Sequence, residues 1–149
     1  MGNADRVRAN TAEEINRQID HEIEFRVREY SQRTESEITR RINELDHEWD
    51  MERLLETNAS ALALTGLVLG ITRNRKWLIV PSVVLPFLFQ HAIQGWCPPV
   101  PIFRRLGVRT RDEINREKYA LKALRGDFDE IDSMRRPEEA EDALEAVKA

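Results

Sequence analysis

One cysteine, Cys97, stands in a chain of 149 residues, so neither an internal disulfide framework nor a cysteine-only metal site can form. Acidic residues are missing altogether from 58–103, and that stretch holds three basic residues, Arg73, Arg75 and Lys76. The first fifty residues contain no apolar run, so no signal peptide is expected. Apolar residues outside 58–103 are too sparse to fill a large globular interior. No excess of basic residues marks the chain, whose formal net charge is −4, and this argues against nucleic acid as a partner. A phosphate loop, a nucleophile–base pair and paired zinc ligands are all absent. The expectation is therefore a protein that is not an enzyme and carries no cofactor.

What the chain has is charge sorted by segment. Residues 1–57 carry net −6, 58–103 net +3, 104–126 net +5 and 127–149 net −6. The uncharged runs are ASALALTGLVLGIT (59–72) and WLIVPSVVLPFLFQHAIQGWCPPVPIF (77–103), with the three charges between them. Two apolar runs around one short polar turn predict a helical hairpin in a membrane. The second run meets the ~20 residues a spanning helix needs. The first, extended back through Thr57, reaches about 24 Å at ~1.5 Å per residue, a shortfall that bilayer thinning or snorkelling arginines can absorb. Trp77 and Trp96 bracket the second run as interfacial aromatics do. Pro81 falls near its first turn and Pro86 predicts a kink. Pro98, Pro99 and Pro101 should end it. Arg104, Arg105, Arg109 and Arg111 follow the second span, so the positive-inside rule favours two cytoplasmic termini.

The flanks read as helix. Thr11 with Glu14, and Thr110 with Glu113, have capping-box spacing. Ile15, Ile19, Ile23, Val27 and Tyr30, then Ile38, Ile42, Leu45 and Trp49, recur in steps of three and four. They predict two amphipathic helices, 11–31 and 35–57, the second running on into the first span. A narrow stripe needs cover, and self-association through Ile15, Ile19, Ile23, Ile38, Ile42, Leu45 and Trp49 is the reading preferred over the other arm helix or a lipid surface. The average step exceeds 3.5, so a regular left-handed coiled coil is not implied. A basic helix beside the membrane, 104–126, carries Ile114, Leu121 and Leu124 on one side and could rest on anionic headgroups. Gly126 suits the residue after its end. The acidic tail, 127–149, is expected to be mobile, with Pro137 opening a possible short helix.

The segments EWDMERLLETNASALALTGLVLGI and GWCPPVPIFRRLGVRTRDEINREKYALKALRGDF, with the hairpin they enclose, resemble bacterial inner-membrane proteins with the YgaP-like transmembrane domain. That domain is a two-helix hairpin ending in a Gly-x-Cys-Pro signature. Here the signature is Gly95-Trp96-Cys97-Pro98, followed by Leu106-Gly107 and Thr110. The resemblance covers about Trp49 to Gly126. It implies an all-α fold in a bacterial inner membrane. Some members fuse the hairpin to a rhodanese sulfurtransferase domain, which this chain lacks, so sulfur chemistry enters only as a question about Cys97.

Few residues are candidates for chemistry. Cys97 could accept a persulfide or bridge two chains, although its place at a helix C-terminal end disfavours a thiolate. Gln90, His91 and Gln94 are polar groups in a span, suited to interhelical hydrogen bonds in an oligomer or to lining a small channel. Gly66 and Gly70 form a GxxxG pair that permits close helix approach. Glu44 and His47 have Glu-x-x-His spacing, but the matching place in the first arm helix holds Gln18 and His21, so a di-iron site is not expected. The chain thus reads as an all-α, two-span membrane hairpin with long amphipathic N-terminal helices and a basic juxtamembrane helix. The expected role is a non-enzymatic, self-associating accessory or scaffold protein. Its partners would be the lipid bilayer, a second copy and a larger membrane complex. The alternatives are redox or sulfur handling by Cys97, or a channel lined by Gln90, His91 and Gln94.

Overall fold

The computed structural model describes residues 6–128. Among them every regular element is helical: α1 (Arg6–Ala9), α2 (Glu13–Tyr30), α3 (Glu35–His47), α4 (Met51–Thr72), a 3-10 turn (Arg75–Leu78), α5 (Ile79–Gln94), α6 (Val100–Arg105) and α7 (Arg111–Arg125). The acidic tail beyond Phe128 lies outside the described residues. The helices fall into two compact units. One takes in the described residues up to His21 together with Trp49–Ile114, and the other Glu22–Glu48 with the described residues from Asn115 onward.

Within the first unit, α4 and α5 form the hairpin, and α4 and the continuous stretch Arg75–Gln94, the 3-10 turn with α5, are long and apolar enough to cross a membrane. Asp50 starts α4 by accepting from the Arg53 N–H at 2.8 Å. Asn74 starts the connecting turn by accepting from the Lys76 N–H at 2.9 Å. The two glycines let the helices close up. A Cβ on Gly66 would stand 2.6 Å from Pro81 Cδ and 2.8 Å from Val80 Cβ. One on Gly70 would stand 2.5 Å from Leu78 Cδ2. The GxxxG pair therefore serves the fold of one hairpin. Outward side chains stay bare: Ile71 is 75% exposed, and Ile79 and Phe89 are each 68% exposed. The stretches 57–72 and 77–94 carry no charge, so this uncovered apolar surface is large and continuous.

Several local expectations need correction. The helix 35–57 does not run into the first span. It ends at His47, and Glu48 and Asp50 adopt extended backbone before α4 begins. The physical reason is Asp50, whose carboxylate satisfies an N-terminal N–H and restarts the helix. At Thr11 the expected capping box is not made. Its hydroxyl donates back to the Val7 carbonyl at 2.7 Å, an acceptor supplied by the unforeseen α1. Nor do the prolines end the second span. Gly95 does, at φ 74, with its N–H on the His91 carbonyl at 2.7 Å. Pro99 and Pro101 instead open α6, where a missing N–H costs little. The box of Thr110 with Glu113 forms as expected, and a further one, Thr34 with Glu37, opens α3. Gly126, at φ 90, closes α7, with the Asp127 N–H on the Lys122 carbonyl.

Beyond the hairpin, Val7, Met51, Leu55, Cys97 and Val100 form a small apolar core, with Phe103 and Val108 packed against it. A buried ionic cluster lies in the same unit. Arg104 is bidentate to Glu113 at 2.6 and 2.8 Å, and also donates to Asn16 Oδ1 and the Val108 carbonyl. Arg8 adds a 2.6 Å bond to Glu113 and a paired contact to Asp20. The Arg104 and Glu113 side chains are fully buried. In such a place a lone charge is very costly, and a hydrogen-bonded pair is not.

Inside the second unit, Ile23, Ile38, Ile42, Leu45 and Leu121 are buried. Glu117, on α7, accepts from Arg26 of α2 at 3.3 Å and from Arg41 of α3 at 2.9 Å. Lys118 reaches Asp46 at 2.5 Å, and Arg125 reaches Thr39 Oγ1 at 2.9 Å. This overturns the premise of the self-association stripe. Ile19, Ile23, Ile38, Ile42 and Leu45 are already covered within one chain, Ile15 is half-buried, and only Trp49 is exposed, under the Arg53 guanidinium. The basic helix is corrected in the same way. The expected single helix 104–126 is split, α6 ending at Arg105 and α7 starting at Arg111; Arg104, Arg109 and Lys122 are buried and Ile114 and Leu121 sit in the interior, while Leu124 stays exposed.

Candidate functional site

The polar face of the first unit that stands out begins with three residues of α4. Glu52, Glu56 and Ser60 follow at four-residue spacing, so they lie one above another on the helix. Asp50 sets where that helix begins, and so which face these side chains occupy. Opposite them stands His91, in the last turn of α5. Arg6, from α1, closes the end. Its guanidinium donates to the carbonyls of Ala92 at 2.6 Å and Ile93 at 3.0 Å, two of the acceptors that a helix C-terminus leaves unsatisfied. Asn10 completes this closure by donating to the Gln94 carbonyl at 3.0 Å. The conformation at Gly95 makes room: a side chain there would collide with Arg6, whose backbone carbon lies 2.7 Å from the Cβ position.

Together these residues line a cavity of about 570 Å³, with Val7 and Leu88 as its apolar wall. Two polar atoms in it have no hydrogen-bond partner: Glu52 Oε2 and His91 Nδ1, both shielded from solvent. Glu52 precedes the uncharged stretch, and burial pushes its carboxyl above the ordinary range, with Asp50 and Asp112 adding to the effect and Arg111 opposing it. A second cavity of about 400 Å³ lies between α4 and α5 and is almost wholly apolar, walled by Leu62, Val84, Phe87, Cys97 and Phe103 among others.

The residues singled out from sequence are dispersed. Gln90 and Gln94 pair with each other at 3.3 Å, and Gln94 is exposed, whereas His91 is 7% exposed and faces the polar cavity. The three therefore do not line one common path. Cys97, just past the end of α5, belongs to the apolar core, and burial pushes its thiol up. Glu44 bonds to Arg41, and a His47 ring nitrogen is spent on the Asn43 carbonyl at 2.8 Å. Among the described residues no three His, Cys, Asp or Glu side chains gather as a metal would need.

Arg6, Glu52, Glu56 and Ser60 were missed in the sequence. One signal was there. Glu52 and Glu56 are like charges at i and i+4, a destabilising pair on an isolated helix, placed just before a span. No protein-family model matches the chain, and no curated protein or solved structure matches it.

Proposed function

We propose that this chain is a non-enzymatic accessory protein anchored in a membrane by its hairpin, with the helices outside the hairpin forming folded, ion-paired units in the aqueous phase. The carrying observation is the contrast in how side chains are satisfied. The outward residues of α4 and α5 are apolar and bare, while the charges of the first unit outside them are matched inside the chain around Arg104 and Glu113. Such a surface suits a bilayer around the hairpin and water around the rest. The inner membrane of a bacterium, with both termini on the cytoplasmic side, is the location that fits the resemblance to the YgaP-like domain and the arginines after α5. Contact with a second copy or a larger membrane complex falls to the bare hairpin faces, since the arm stripe is closed. The burial of Cys97 weighs against a redox role.

The test is fractionation. Washed membranes carrying the protein are extracted with alkaline carbonate, and the protein is expected in the pellet. Release into the supernatant without detergent would refute the anchor.

A further inference from the structure

We propose that the polar cavity of the first unit binds a primary ammonium group carried on a short carbon body. Three features of the wall lead there. First, it is rich in acceptors: the Glu52 and Glu56 carboxylates, the Ser60 hydroxyl and the His91 ring. Second, two polar atoms of that wall are unpartnered and turned away from solvent, and the His91 nitrogen accepts in the tautomer protonated at Nε2. His91 is more than nine-tenths buried and lines the cavity with Nδ1 unpartnered, and Glu52 Oε2 is likewise shielded without a partner. Buried polar atoms are nearly always hydrogen-bonded, so such atoms mark a place where a donor is wanted. Third, the charge selects the ligand. Arg6, the cation of this wall, already donates to the Ala92 and Ile93 carbonyls, while both carboxylates face the space. An anion finds little there.

Among cations, an ammonium fits better than a metal. A metal draws its ligands into one tight shell, and no such cluster exists among the described residues. An ammonium carries three donors that point apart. A carboxylate on α4 and the imidazole on α5 both line the space it would enter. Val7 and Leu88 then cover its carbon body, and about 570 Å³ lies in the range of small-molecule sites. Because Ser60 already belongs to the uncharged part of α4, the cavity sits where the hairpin leaves the apolar zone. The ammonium has two possible sources: a free amine in solution or the ethanolamine headgroup of a phospholipid.

The purified full-length chain tests this in two settings. In micelles of a neutral, phospholipid-free detergent it is titrated with ethanolamine, and with acetate as an anion of similar size. In nanodiscs its melting temperature is compared between pure phosphatidylcholine and a mixture containing phosphatidylethanolamine. Wild type is expected to show saturable stabilisation by ethanolamine in micelles, or by phosphatidylethanolamine in nanodiscs, and none by acetate. A response in micelles assigns the free amine, and one confined to nanodiscs assigns the headgroup. Glu52→Gln should weaken the response at least tenfold. Glu56→Gln, a change at an exposed position that leaves the core alone, should weaken it too, while Glu24→Gln on α2 should not. A response to neither amine source, an equal response to acetate, or full retention in Glu56→Gln would overturn the proposal. The micelle titration is independent of whether the hairpin sits in a bilayer in the cell.

Discussion

At the scale of single residues, Glu113 gathers Arg104, Arg8 and the Thr110 N–H of the first unit onto one buried carboxylate. Burial acts to raise its carboxyl, but the Arg104 guanidinium, the Thr110 N–H and Arg8 outweigh burial and hold it below its ordinary value of 4.5. A carboxylate depressed in the folded state contributes stability that is complete above its unfolded value and is lost as pH falls through the folded one. Melting temperature should therefore fall as pH drops below about 4.5. Glu113→Gln should cost about 3–5 kcal/mol at neutral pH, because Arg104 is left buried without its counter-charge. It should also flatten that acid limb. Thermal unfolding in detergent between pH 3 and 7, roughly the range over which carboxylates titrate, measures both effects; an unchanged acid limb in the variant would assign it to other groups.

At the scale of elements, the hairpin depends on a small contact surface. Gly66→Leu must push Pro81 and Val80 away, since a Cβ alone already falls inside contact distance of both. Overpacking of this kind costs about 1–3 kcal/mol. The expected outcome is a lower melting temperature in detergent with unchanged particle mass by light scattering. A fall in mass would mean that the glycines also hold two chains together. Much of this element was legible beforehand. Uncharged runs, a basic turn, GxxxG spacing and the capping box at Thr110 are local signals, and local signals can be read from sequence. The break before Met51 was harder. Asp50 as an N-cap competes with a strong apolar periodicity that runs straight through it. The polar cavity was harder still: Glu52 and Glu56 look like an ordinary solvated face until α1 and α5 close over them, and nothing in their own sequence names those partners.

At the scale of the whole molecule, the arm stripe carries a general lesson. Steps of three and four at Ile15 to Trp49 showed that a face must be covered, but periodicity is silent on what covers it. The cover turned out to be the chain's own interior. Replacing Ile38, Ile42 and Leu45 together by Asp should then unfold the second unit, because three carboxylates would take the place of buried apolar side chains. We expect lower helicity by circular dichroism and rapid proteolysis within 22–48, while the hairpin stays in the membrane pellet. Smaller particles with helicity intact would instead restore the stripe as an intermolecular surface.

The bond between Arg8 and Glu113 also has a consequence in time. The two residues are 105 positions apart. At ~5–20 residues per second, a ribosome needs about 5–20 s to make the partner after the arginine appears. The partners within quicker reach are local, above all Asp20, 12 positions on. The hairpin is synthesised wholly inside that interval, so both runs emerge before the cluster above them can close. Synthesis of the hairpin and completion of the ionic cluster are thereby ordered by the sequence itself: the apolar segments come first, and the first-made residues are the last to find their place.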